Sequence, residues 1–360
     1  MIRAAVVTPV TGPLARFGRV GAVALGVWAD RFADDLAVRL TVYDAHPDPV
    51  AALRRAEGEC PDLLFGPYGS GPARALVAAT DRLVWNHGGA AVPACRRVVN
   101  LIAPASSYFD GCLRAIVAAD PLTRRIALYH GDTGFGRQVG AGAVRVAGQL
   151  GVEVSVSATL AEVPAADMLL VAGRFADEIA AAKRLLPGGW RAAAFVGAGV
   201  REVLASLGVR REGLLGPAQW LASRAPRPTE GPHVRDFTAV YRQRHHAQPS
   251  YPAAQAFAAG LIAARCLRDA GGTADHDLLA AAADLDCVTL FGRFALDPAT
   301  GAQTGHQLIT VQWQHGIRRA VWPPAQAQSR SASRCLTRTP AFNPAHRPGI
   351  ETVDLMNEAA

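Results

Sequence analysis

Leu63-Leu64-Phe65-Gly66-Pro67-Tyr68-Gly69-Ser70-Gly71-Pro72 is the stretch that decides how this chain folds. Three successive apolar residues suit a strand buried on both faces, as in a parallel sheet. Glycines and prolines then break it, and Pro72 suits the first turn of a helix, where a missing N–H costs nothing. A strand that delivers a helix N-terminus to a surface leaves unpaired backbone N–H groups there. With the Ser70 hydroxyl beside them, the N–H groups around Gly71 form a candidate site for a carboxylate or another anionic oxygen. An ordinary strand-to-helix turn has the same pattern, so the neighbouring stretches must decide.

Upstream, residues 2–8 read as a strand, followed by a turn at Val10-Thr11-Gly12-Pro13 and a helix over 14–32 with apolar residues at helical spacing. Residues 40–43 are a second strand, and Asp48 is placed to cap a helix over 49–57 with Pro49 at its first position. Downstream, the quoted stretch leads into a helix over 73–83, a short strand over 84–86 and the loop His87-Gly88-Gly89-Ala90-Ala91. Strands alternating with helices at this spacing imply a doubly wound parallel sheet, which binds ligands beyond the carboxyl ends of its strands.

The plan then restarts. Strands over 125–130, 152–158, 167–172, 191–197 and 213–216 alternate with helices over 137–150 and 176–186, and Gly131 to Gly136 forms a glycine-rich loop. Long helices over 253–270 and 277–283 and an alternating strand over 307–314 follow. The fold expected is α/β: two doubly wound parallel-sheet lobes joined by a multi-strand hinge, with a ligand cleft between them. Residues 1–120 with about 250–292 form lobe 1, and 121–249 with about 293–324 form lobe 2. Residues 325–360, rich in Pro, Gln, Ser and Arg, read as a disordered tail.

Composition narrows the function. The chain has 360 residues, is 50% apolar and carries a formal charge of +7, the signature of a soluble globular protein. Its arginines are spread through every segment and Lys183 is the only lysine, so no basic patch points to nucleic acid. No stretch approaches the roughly 20 apolar residues of a membrane helix. Six cysteines lie far apart with no C-x-x-C pair, and His245-His246 lacks companions at ligand spacing, so neither a metal nor another cofactor is expected. A Cys95 to Cys112 bridge is conceivable in an oxidising compartment. Met1 leads directly into the first strand with no export signal ahead of it; a cytoplasmic protein, a processed mature form and a start codon placed too late all fit.

Taken together, the loops resemble those of the type I periplasmic binding proteins of the leucine/isoleucine/valine and amide/urea group. Thr11-Gly12-Pro13-Leu14-Ala15-Arg16-Phe17-Gly18 is similar to the family's first loop, and Tyr43-Asp44 with His46-Pro47-Asp48-Pro49 to its second. Phe65 to Pro72 and His87 to Ala91 resemble the third and fourth, and Val311-Gln312-Trp313-Gln314 the closing strand. The resemblance implies an extracytoplasmic, non-enzymatic protein that closes on a small-molecule ligand and delivers it to an ABC permease. It places the ligand's oxygen on Ser70 and the N–H groups of Gly71, Gly88 and Ala90, with His87 in the same loop. Phe17 would close over the ligand from the first lobe; Phe135, Arg174, Phe175 and Trp220 would face it from the second, and Tyr251 would sit near the hinge.

Two departures bear on the ligand. Ala90 and Ala91 stand where the family usually offers a hydroxyl, and Val196-Gly197-Ala198-Gly199-Val200 lacks the acid that holds an amino acid's ammonium. A buried ammonium without a carboxylate partner is costly, so amides, urea-like compounds, carboxylates or atypical amino acids are favoured over leucine-like ligands. Two other readings start from the same residues. A cytoplasmic ligand sensor of the amide-receptor type would use the same cleft. A hydrolase would need Ser70, His87 and Asp44 in a catalytic arrangement, but the G-x-S-x-G spacing of a nucleophile elbow is absent. The Gly131 to Gly136 loop likewise lacks the Lys-Ser/Thr of a phosphate-binding loop.

Overall fold

The computed structural model describes residues 1–33 and 35–329. In chain order the first half contains β1 (Ile2–Thr8), α1 (Ala15–Arg31), β2 (Val38–Asp44), α2 (Pro49–Gly58), β3 (Leu63–Phe65), α3 (Ser70–Ala78), β4 (Val84–Asn86), β5 (Val98–Asn100) and α4 (Asp110–Ala119). The five strands form one parallel sheet in the order β2-β1-β3-β4-β5. β3 lies at its centre with all three residues buried, as its unbroken apolar run requires.

The second half repeats the plan with β6 (Arg125–His130), α5 (Gly134–Gln149), β7 (Glu153–Ser157), β8 (Met168–Ala172), α6 (Phe175–Leu185), β9 (Ala192–Phe195) and β10 (Leu215–Ala218). Three helices follow, α7 (Val234–His245), α8 (Tyr251–Ala270) and α9 (Asp275–Asp284), then the short ribbon β11 (Cys287–Val288) and β12 (Arg293–Phe294). A hairpin of β13 (Ile309–Gln314) and β14 (Ile317–Trp322) completes the second sheet, ordered β14-β13-β10-β9-β8-β6-β7. Its β6 to β10 strands are parallel, and the hairpin joins antiparallel to β10.

The chain returns to the first lobe through α8. This helix is buried without interruption from Pro252 to Ala264 and packs along α1, so its all-round apolar surface belongs to an interior helix. α7, which the expected boundary at 249 assigns to lobe 2, packs on α1 instead, with Phe237 against Phe257 of α8 at 4.3 Å between ring centroids.

β5, α4 and α7 have no counterpart in the sequence reading, and three further features depart from it. α3 starts at Ser70 rather than Ala73, because Gly69 takes a φ of 100° that only glycine adopts freely and turns the chain at once. Pro72 is therefore the third helical residue, and Ser70 and Gly71 lie in the first turn. β14 has no counterpart in the sequence reading, since Arg318 and Arg319 interrupt its apolar pattern. Order also continues past Pro323 into the stretch expected as tail: Gln328 N–H donates to Ala320 O at 2.7 Å and Ser329 Oγ to Gln314 Oε1 at 2.8 Å. The remainder of that tail, 330–360, lies outside the described residues.

Candidate ligand-binding site

The loops after β3 and β4 are joined by direct hydrogen bonds. Gly69 N–H donates to Gly88 O at 2.9 Å, and Ala91 N–H donates to Ser70 Oγ at 3.1 Å. Asn86, read from the sequence only as the end of a short strand, organises the fourth loop from below. Its Oδ1 accepts from Gly89 N–H at 2.9 Å and Gly88 N–H at 3.3 Å, and its Nδ2 donates to Gly89 O and Asn100 Oδ1. Gly88 N–H, expected to face a ligand, is thus engaged with Asn86. Among the described residues no acceptor meets the N–H groups of Gly71 and Ala90, and the Ser70 O–H, which accepts from Ala91, still has its proton to donate. These three donors at one strand edge and one helix start are suited to a carboxylate. Gly88 has to be glycine here, because a Cβ would lie 2.6 Å from the Tyr68 Cα.

Aromatic rings fill the seam between the lobes beside this anchor. Phe17 stacks on Tyr68 at 4.8 Å between centroids, and Phe175 of the second lobe tilts onto Phe17 at 5.3 Å. Tyr251, the first residue of α8, shares a hydrogen bond between hydroxyls with Tyr68 and lies 6.4 Å from Phe17. Phe135 meets Tyr108 edge-on at 5.3 Å, and the Tyr108 hydroxyl accepts from Gln219 Nε2. Phe17, Phe175 and Tyr251 are therefore brought together, with Tyr68 as the member that sequence reading passed over although it stands in the deciding stretch.

Other candidates fall elsewhere. Arg174 is exposed at the N-terminus of α6, where it is the N-cap residue. Trp220 is buried in the main core and donates its indole N–H to Leu290 O at 2.9 Å, which makes it a strut between crossovers. Gly136 N–H in the glycine-rich loop is capped by Thr133 Oγ1 at 2.9 Å, which removes it as a phosphate donor. Cys95 is exposed and free, whereas Cys112 is buried and free, its thiol pushed up to about 12 by burial. The conceivable bridge between them does not form.

The site's titratable groups are set by burial. His87 is fully buried with neither ring nitrogen hydrogen-bonded, and burial pulls it down to about 4, so the ring is neutral at pH 7. It makes no hydrogen bond to Ser70. Burial tends to raise Asp44, but bonds from Thr11 Oγ1 and the N–H groups of His46, Val10 and Thr11 outweigh it and hold the carboxyl at about 2. Asp44 staples the first two loops together and touches neither Ser70 nor His87. In the second lobe, Glu178 lies beneath the 196–200 stretch that was read as lacking an acid. Its Oε2 accepts from Gly197 N–H at 2.6 Å, and full burial raises it to about 8 despite that bond. Glu202, two residues beyond the stretch, is half-buried and stands 3.7 Å from Arg16 across the seam.

Two α/β lobes with strand-ending loops facing each other, open backbone donors on one and aromatic rings from both, have the form of a two-lobed solute-binding module. The periplasmic binding protein family model matches residues 1–317, and the chain belongs to that family, in its type I form. Its fold is similar to a leucine-binding protein from Thermotoga maritima, with a TM-score of 0.73, 15% identity, and 89% of this chain and 97% of that one covered. A branched-chain amino acid ABC transporter periplasmic ligand-binding protein from Burkholderia xenovorans gives a TM-score of 0.74 at 15% identity, over 88% of this chain and 91% of its own. An ABC transporter solute-binding protein from R. palustris, solved in complex with benzoate, gives 0.70 at 15% identity, over 89% and 95%. No curated protein sequence matches the chain.

Proposed function

We propose that the protein is a solute-binding component of an ABC importer whose lobes close on a small carboxylate with a flat, apolar body. The observation that carries this is the set of open donors, Ser70 O–H, Gly71 N–H and Ala90 N–H, next to the Phe17–Tyr68 stack. A carboxylate is the group these donors complement, and the packed rings set an apolar wall beside them that suits an aromatic or similarly flat body. The benzoate-bound relative has such a ligand, which supports the class but not the compound. Binding without turnover is favoured, since Ser70 accepts a backbone N–H while His87 and Asp44 are engaged or isolated elsewhere.

A thermal-shift screen with benzoate, leucine, acetamide and urea tests the reading. At about 100 times its Kd a ligand adds ~2.7 kcal/mol, so benzoate-type carboxylates are expected to raise Tm by roughly 3–5 °C. Ser70→Ala removes one charge-assisted bond and is expected to weaken the carboxylate about 10-fold. The reading fails if acetamide and urea shift Tm while carboxylates do not.

A further inference from the structure

The β13–β14 hairpin holds the turn after β9 in an unequal way. Trp313 and Arg318 face each other across the hairpin; the Trp313 indole N–H donates to Ala198 O at 3.0 Å, and Arg318 Nη1 donates to the next carbonyl, Gly199 O. A neutral indole suffices for the first carbonyl. The second is met by a guanidinium with five N–H donors, whose remaining donors find no partner among the described residues, and no carboxylate among them lies within 4 Å of it. A partly buried cation is a costly way to hold one carbonyl.

Its surroundings add to the imbalance. Arg318 is repelled by Arg201 and Arg211 and attracted by Glu202. Arg211 lies 4.0 Å over the Trp313 ring, and Glu202 already faces Arg16 of the first lobe at 3.7 Å. The repulsion between Arg318 and its neighbours Arg201 and Arg211 is thus opposed by one carboxylate, Glu202, which Arg16 already pairs. Trp313, opposite Arg318 in the hairpin register, lies in the same buried cluster as Phe17 and Tyr68, two residues before Ser70, so the hairpin and the Ser70 anchor meet at one set of rings.

Resting on the carboxylate reading above, we propose that Arg318 receives a second acidic group of the ligand, so that the protein selects small dicarboxylates over monocarboxylates and over amino acids. The first acid group takes the donors at Ser70, Gly71 and Ala90, and the second takes the free face of Arg318. A ligand ammonium at that end would meet Arg318 and its neighbours Arg201 and Arg211, while Glu202 is already paired with Arg16.

Calorimetric titration of the full chain with benzoate and terephthalate, and with butyrate and glutarate, tests this. Each diacid is expected to bind at least ~10-fold tighter than its monoacid, a margin of ~1.4 kcal/mol. Arg318→Met is expected to bring that ratio to about 1, and Arg318→Lys to leave an intermediate preference because it keeps the charge without the fork. Equal binding of mono- and diacids by the wild type, or a preference that survives Arg318→Met, overturns the proposal while leaving the carboxylate reading standing. Binding of neither acid class overturns both. If Arg318→Met fails to fold, the wild-type ratio and Arg318→Lys still decide.

Discussion

Stability is expected to peak near pH 6.5 and to fall on both sides for different reasons. His87 and His306 are buried, and burial pulls each down from 6.5 to about 4. Below pH 6.5 the unfolded chain takes up protons that the folded chain refuses, so stability is lost between pH 6.5 and 4. Glu178 acts with the opposite sign. Burial raises it from 4.5 to about 8, so its contribution is complete below pH 4.5 and is lost as the pH rises through 8. Between pH 8 and 6.5 only Glu178 changes, and acidification adds ~2 kcal/mol. Between 6.5 and 4.5 the two histidines outweigh it, with a net loss of ~3 kcal/mol. Calorimetric Tm measured from pH 4.5 to 9 checks the curve, and Glu178→Gln should flatten its alkaline side, because the amide oxygen can still accept from Gly197 N–H. A Tm that does not change between pH 6.5 and 8 would contradict the assignment of Glu178.

The second large effect lies in the contact between α1 and α8. Trp28 is fully buried, and its ring lies where a Cβ on Gly260 would stand, 2.3 Å away at the nearest atom. Gly260→Leu is therefore expected to destabilise by about 4 kcal/mol, since neither the interior helix nor the indole has room to shift. Gly148 is the internal control. It sits exposed in α5 with open space where a Cβ would stand, so Gly148→Ala is expected to stabilise by about 0.5–1 kcal/mol through helix propensity alone. Urea unfolding of the three proteins measures both, and similar midpoints for Gly260→Leu and wild type would refute the packing argument.

Much of the fold was readable because its signals are local. Asp48 accepts from the N–H groups of Val50 and Ala51 with Pro49 at the first helical position, as the tetrad of residues requires. The apolar runs at β1, β3 and β8 are buried strands for the same reason: few other places accept three or more successive large apolar side chains. The short β5 and the arginine-interrupted β14 were not readable, since their pairing partners supply what their own pattern lacks.

The candidate site divides along the same line. Ser70 and Gly71 are legible from the strand-glycine-helix order, and the structure adds that Ala91 and Gly88 tie their loop to the next one. Tyr68 and Tyr251 meet across 183 positions, and Glu178 reaches Gly197 across 19, distances at which sequence has no periodic signal to offer. Arg174 shows the converse. A charged residue at a strand-ending loop is a reasonable candidate by position, yet its side chain goes to water because nothing nearby repays its desolvation.

By itself, then, the sequence determined two repeated α/β lobes, the order of their loops and a helix start with open N–H donors, because strand burial, glycine turns and helix caps are decided within a few residues. Only the tertiary structure decided which rings meet at the seam, where buried acids and histidines sit, and that Arg318 holds Gly199 O with no carboxylate beside it among the described residues. Those depend on groups far apart in the chain sharing one desolvated space, where the cost of an unpaired charge is set by everything that surrounds it.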